Sequence, residues 1–380
     1  MTRFTEDHLL FRSSVRNFID REIDPFVDDW ENQGFFPARE LYKKLGDEGY
    51  LGLTFPEEFG GLGLDFWYQV VWTEELGKIS AGGIPMSFTV QTDISTPPIK
   101  NHGSPALKER FLRPAILGDA IGALAVTEPQ AGSDVAAIKT FADDEGDDYV
   151  INGRKIYITN GSLADFVVVL CKTSKEESTR GMSLIVVPTD LPGFSAQKNY
   201  QKSKLGNWCC DHAELTFENV RVPKRYLIDT PGTGWDIQME QFQHERLIEG
   251  ILACSQAQMI LDETKVYAKH RKLLDQRLID LQHIAFRLVE METEIALLRQ
   301  MTYHAAELFI GHRECTREIA MVKFKGGKLL RWVADECLQL FGGSGYMENT
   351  LISRAFRDGR ATSIAGGSTE TMQHILAKFL

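Results

Sequence analysis

A chain of 380 residues exceeds what one hydrophobic core usually holds, so two or three domains are expected. Apolar residues make up 43% and charged residues 25%, the balance of a soluble globular protein. A net charge of −11 without a basic stripe argues against nucleic acid or an anionic membrane surface as partner, and no apolar run reaches the length of a membrane span.

The N-terminus, Met1-Thr2-Arg3-Phe4-Thr5-Glu6-Asp7, is charged from the start and lacks an apolar targeting core, so a cytoplasmic protein is expected. Residues 1–120 read as a helical domain. Leu9, Leu10, Val15, Phe18 and Ile19 recur at helical spacing, as do the apolar residues of 66–77. Between them Pro56 to Gly63 is dense in turn formers. Its Gly-Gly-Leu-Gly run follows no strand, which argues against a dinucleotide-binding loop.

Residues 121–232 read as a β domain. Asn152-Gly153 between 149–151 and 154–158 predicts a two-residue hairpin turn. Further strands are expected over 166–170 and 183–187, with Pro188 and Pro192 ending the second. Six cysteines form no CxxC pair and read as reduced thiols; adjacent Cys209 and Cys210 are expected in a strand, facing opposite ways. Residues 233–380 return to helix. Stretches 235–268, 280–310 and 314–341 are long and amphipathic, and a shorter one starts near 368, which together predict an antiparallel four-helix bundle.

Ala125 to Asp134 (AVTEPQAGSD) combines small residues with hydroxyls, which lets backbone N–H groups approach a ligand. A polar turn would look the same. That segment resembles the flavin-binding signature of the acyl-CoA dehydrogenase family. Tyr157-Ile158-Thr159-Asn160-Gly161, Gln339 to Tyr346 and the loop from Pro56 to Gly63 are similar to the family's other motifs, in the same order along essentially the whole chain. The resemblance implies an α+β fold with an N-terminal helical domain, a middle β-barrel-like domain and a C-terminal four-helix bundle.

It also implies FAD between the β domain and the bundle. By position, Val126 and Thr127 would meet the flavin ring, and Gly132 and Ser133 the phosphates and the CoA part of the substrate. Tyr157 stands where Trp is common and would pack on the isoalloxazine; Thr159 would contact the ring or ribityl chain. Arg271, Gln282, Gln339 and Gly343 would reach the distal end of FAD from a neighbouring subunit of a homotetramer built as a dimer of dimers. Leu274-Asp275 departs from the family's usual Phe-Gly there.

The chemistry needs a carboxylate to take the α-proton of an acyl thioester. Many relatives carry it in a C-terminal Tyr-Glu-Gly-Thr motif. The matching stretch here is Ile364 to Glu370, and Gly366 occupies the catalytic position. Gly366 cannot be a base, although its backbone N–H can still bind the thioester carbonyl. Long-chain and isovaleryl-type relatives, citronellyl-CoA dehydrogenase-like ones included, place the Glu before an Arg on the first bundle helix. Gln243-His244-Glu245-Arg246-Leu247 matches that arrangement. Ile248 and Leu252 share the side of Glu245, an apolar flank that should raise its pKa.

Glu370 is the rival base, although by position it and Ser368 would approach the flavin. His244 lies about 100° around the helix from Glu245 and is not expected in the same pocket. Phe242 would line the CoA channel, Arg246 would fix the CoA of the substrate or a neighbouring carboxylate, and Gly250 and Gly366 could leave room for a long or branched tail. The expected reaction is dehydrogenation of an acyl-CoA to its trans-2-enoyl-CoA in fatty acid β-oxidation, on a long, branched or isoprenoid-type chain, with an electron-transfer flavoprotein as acceptor. A flavin oxidase using O₂ and a non-catalytic acyl-CoA-binding paralogue are the alternatives.

Overall fold

The computed structural model describes residues 3–175, 178–197 and 203–380. Helix α1 (Glu6–Glu22) starts at Thr5, whose hydroxyl accepts from His8 N–H, and it ends before Asp24-Pro25. Val15, Phe18 and Ile19 face the core, but Leu9 and Leu10 lie on the exposed side. Consecutive positions on a helix diverge by about 100°, so one stripe cannot hold all five apolar residues. Helices α2 (Val27–Gln33) and α3 (Ala38–Asp47) follow, then α4 (Phe66–Leu76), capped by Asp65 and buried along most of its length. After α5 (Gly83–Thr89), residues Val90–Ser95 form a π-helical segment with Asp93 fully buried. Short helices α6 (Pro97–His102), α7 (Pro105–Leu107) and α8 (Arg113–Ile116) lead into the sheet. In the Pro56–Gly63 loop, Gly61 packs so tightly on the Phe55 carbonyl that no side chain would fit, which gives the glycine a packing role.

The middle region is one curled seven-stranded sheet: β1 (Gly122–Ala125), β2 (Phe141–Glu145), β3 (Asp148–Thr159), β4 (Phe166–Lys172), β5 (Met182–Pro188), β6 (Phe194–Gln197) and β7 (His212–Pro223). The strand order is β1-β4-β2-β3-β7-β6, with β5 paired antiparallel to β4. Strands β4 and β5 are buried almost throughout, which explains their unbroken apolar runs.

Two expectations fail here. Asn152-Gly153 is not a turn: β3 runs straight through it, and the hairpin turn is Gly146-Asp147, where Gly146 has φ +74°. Asn152 and Asn219 instead bond across an irregularity in the β3–β7 ladder, and Gly153 is glycine because Thr140 packs against it. Cys209 and Cys210 lie in a turn before β7, not in a strand; Asn207 takes a left-handed φ there and Cys209 N–H donates to Glu31. All six cysteines are free and buried.

The C-terminal region holds α9 (Gly234–His270), α10 (Gln282–Ile310), α11 (Thr316–Phe341), α12 (Leu351–Gly359) and α13 (Thr369–Ala377). Helix α12, capped by Thr350, is an element the sequence pattern did not single out. At Gly250 α9 packs tightly on α11, and a side chain there would overlap Val322. Gly326 of α11 faces Ala253 in the same seam. Among the described residues, no helix is long and apolar enough to cross a membrane.

Candidate active site

Helix α9 packs against α4 and the π-helical segment, against β5, and against α10 and α11. Glu245 therefore lies where all three regions of the chain meet. It is buried, and its Oε2 has no hydrogen-bond partner. Burial, then the negative charge of Glu249 one turn on, pushes its pKa up to about 7; Arg246, Lys323 and a hydrogen bond from Gln241 oppose the rise without cancelling it. A carboxyl group with that proton affinity is balanced between acid and base near neutral pH.

The surroundings are more polar than an apolar flank. Ile248 is buried beside Glu245 as expected, but α11 contributes Lys323, whose Nζ lies 2.5 Å from Glu249 and donates to the carbonyls of Thr362 (2.5 Å) and Ala365 (2.9 Å). Gly366 follows with φ +62°, and Arg246 Nε donates to its carbonyl at 3.4 Å. The space a side chain at 366 would need is filled by the Glu249 carboxylate. Neither Gly250 nor Gly366 thus opens room for an acyl tail: the first is closed by Val322, the second by Glu249. The Arg246 guanidinium lies 5.3 Å over the ring of Phe242, and Phe242 packs onto the core of the sheet, which includes Ala125 and Val126.

His244 points elsewhere, as the helical angle requires. Its Nε2 lies 3.0 Å from Asp93 Oδ1, and Asp93 also accepts from Gln69 (2.9 Å) and Thr92 (2.6 Å). Glu370 is exposed on the first turn of α13, where Ser368 is the N-cap and accepts from Thr371 N–H.

The loop after β1 is built on a second buried glutamate. Lys155 is fully buried and donates to Val126 O (2.8 Å) and Glu128 Oε1 (2.9 Å). Glu128 also accepts from Lys139 N (2.6 Å), Thr140 N (2.9 Å) and Gln130 Nε2 (2.6 Å). Burial alone would raise its pKa; Lys155 and the N–H donors reverse this and hold it down to about 2. This knot fixes Val126 and Thr127, whose carbonyl accepts from Ile156 N–H. Gly132 and Ser133 lie exposed further along, and among the described residues nothing stands within 4 Å of where a side chain at Gly132 would start. The β3–β7 ladder slips between Lys155 and Ile158, and there Tyr157 takes φ +60° and stands 61% exposed, with Thr159 half-buried beyond.

Arg271, Gln282, Gln339 and Gly343 are exposed and share the other end of the bundle, where Tyr267 of α9 stacks on Phe341 of α11 at 4.1 Å. Arg271 is 26 positions beyond Glu245, about 39 Å along the helix axis. The two groups therefore cannot serve one end of one site within a single chain. Leu274-Asp275 forms the turn of a small hairpin, β8 (Lys272–Leu273) with β9 (Gln276–Arg277), and Leu274 is 92% exposed.

The acyl-CoA dehydrogenase N-terminal, middle and C-terminal domain families match residues 5–119, 123–220 and 232–380. The chain is 35% identical over 377 residues to the rat mitochondrial long-chain specific acyl-CoA dehydrogenase, covering 99% of this chain and 86% of that protein. It is 34% identical over 377 residues to a probable acyl-CoA dehydrogenase of Bacillus subtilis, covering 99% and 98%. The crystal structure of an acyl-CoA dehydrogenase from Geobacillus kaustophilus superposes with a TM-score of 0.94 at 39% identity, over 99% and 98% of the two chains. This chain belongs to the acyl-CoA dehydrogenase family. It is an oxidoreductase of the kind that dehydrogenates acyl-CoA thioesters with a flavin.

An acyl-CoA dehydrogenase site must offer a flavin a flat face beside a base. Tyr157, Val126, Thr127 and the exposed backbone at Gly132 fit that need, because much of Tyr157 faces outward and, among the described residues, the space beside Gly132 is open. Sequence reasoning missed Glu249, Lys323 and the Glu128–Lys155 pair. The two lysines reach their glutamates from 74 and 27 positions away along the chain.

Proposed function

We propose that this acyl-CoA dehydrogenase converts an acyl-CoA to the trans-2-enoyl-CoA, with Glu245 as the base. The observation that carries the reading is a buried carboxylate with one unpaired oxygen, on a helix that also supports Gly366 through Arg246. FAD, when bound, supplies the acceptor for the β-hydride. Val126, Thr127, Tyr157 and Thr159 would hold its ring, Gly132 and Ser133 its phosphates, and Ser368 and Glu370 would approach it from the start of α13. Ser133, Phe242 and Arg246 would border the substrate. Gly366 N–H would donate to the thioester carbonyl, which acidifies the α-proton, and Glu245, stripped of water, takes it.

The distal FAD contacts, Arg271, Gln282, Gln339 and Gly343, would come from another subunit. Two observations support a homotetramer built as a dimer of dimers. Those residues sit at the far end of the bundle, and α10 exposes an apolar stripe of Phe286, Val289 and Leu297. A long, branched or isoprenoid-type acyl chain and an electron-transfer flavoprotein as acceptor fit the helix-placed base and the likeness to a long-chain specific relative, and they would place the enzyme in fatty acid β-oxidation.

The test is anaerobic titration of the purified flavoprotein with acyl-CoAs of graded length and branching. Bleaching of the flavin band is expected, fastest with long or branched chains, and lost in Glu245→Gln. Absence of bleaching with every acyl-CoA would leave a binding protein; rapid oxygen consumption would make it an oxidase.

A further inference from the structure

Gly366 and Glu249 are complementary. The position that holds a side chain in many relatives is empty of one here, and the carboxylate of Glu249 stands in the vacated space. Glu249 is one helical turn from Glu245 on the same face of α9. Lys323 ties it down at 2.5 Å and ties down the approach to Gly366 through Thr362 O and Ala365 O. One lysine therefore joins the neighbour of the base to the loop that carries the Gly366 N–H.

We propose that Glu249 and Lys323 are positioning residues of this reaction, a charge pair that sets the readiness of Glu245 to accept a proton and holds the Gly366 loop against α9. The proposal rests on Glu245 being the base. The charged groups facing Glu245 are Glu249 and Arg246 from its own helix and Lys323 from α11, and Gln241 adds a hydrogen bond. The nearest carboxylate of the π-helical segment, Asp93, is taken up by His244, Gln69 and Thr92. The signs are then fixed. Glu249→Gln removes a negative neighbour and frees the charge of Lys323, and both make Glu245 ionise more easily. Lys323→Met removes the cation and leaves Glu249 unscreened, which makes Glu245 harder to ionise.

The experiment is the rate of anaerobic flavin reduction by holoenzyme at low acyl-CoA, followed from pH 5.5 to 9. The wild-type rate should rise along an acidic limb that belongs to Glu245. Glu249→Gln should move that limb about one pH unit down, and Lys323→Met about one unit up. Glu249→Asp keeps the charge and should restore the wild-type limb. A pair with a merely structural role would lower rates without moving the limb. Shifts of the same sign, or a limb that stays put in Glu249→Gln, overturn the proposal, and the second result does so even if Lys323→Met does not fold. Glu245→Gln run alongside separates the two layers: if it keeps the limb and the rate, the base assignment itself fails, whatever the other variants do.

Discussion

Two buried glutamates about the same site meet opposite fates. Glu128, under the loop after β1, accepts hydrogen bonds from a lysine, two backbone N–H groups and a glutamine, and its pKa falls to about 2. Glu245, on α9, has an unpaired oxygen and a carboxylate neighbour, and its pKa rises to about 7. Burial pushes both upward, so burial does not decide the outcome. The donors within reach decide it. A well-served carboxylate becomes part of the framework, and an under-served one keeps the capacity to exchange a proton.

The strongest way to break the comparison is to neutralise each glutamate in turn. Glu245→Gln should slow flavin reduction by about 10²–10⁴-fold, the usual contribution of a positioned base, with the flavin still bound. Stopped-flow absorbance reads this directly, and a variant retaining most of the wild-type rate would end the assignment. Glu128→Gln should do the reverse. It leaves Lys155 charged and buried without its partner, a change that costs about 3–5 kcal/mol. Urea unfolding of the apoprotein and the FAD dissociation constant should both suffer, while the flavin that remains bound is still reduced by acyl-CoA. Unchanged stability would mean that the pair is not what holds Val126 and Thr127.

The order of the fold and the choice of base were legible in the sequence, but the contrast between the two glutamates was not. The order helix, sheet, helix follows from periodicity, and Glu245 could be chosen because Gly366 has no side chain and a Glu-Arg pair fills the alternative place. The neighbours were not legible. Lys323 and Lys155 act through contacts between distant elements, and nothing in their local sequence marks them as buried. Small residues misled for the same reason. Gly153 sits in a strand because Thr140 lies against it, and Gly250 lets α9 meet α11. A glycine announces that something comes close, but only the packing says whether that is a turn, a helix or a ligand.

The gentlest test sharpens the comparison in stability alone. Glu245 binds its proton more tightly folded than unfolded, since its pKa rises from an ordinary 4.5 to about 7. Between those values the folded state holds more protons, so stability falls as pH rises through that window and stays lowered above it. Glutamine carries no charge to desolvate. Glu245→Gln apoprotein should therefore be more stable than wild type at pH 8, by on the order of 1–3 kcal/mol, with the gain shrinking as pH approaches 4.5. Glu128 has the opposite sign: its depressed pKa contributes stability above pH 4.5 that is lost as pH falls towards 2. Denaturant midpoints of wild type and both variants across pH 3–8 would show the Glu245→Gln gain growing as pH rises above 4.5 and the Glu128→Gln deficit shrinking as pH falls below it. If Glu245→Gln were destabilised at pH 8, the carboxylate would have a partner that supports its charge, and the case for a base held in readiness would fall with it.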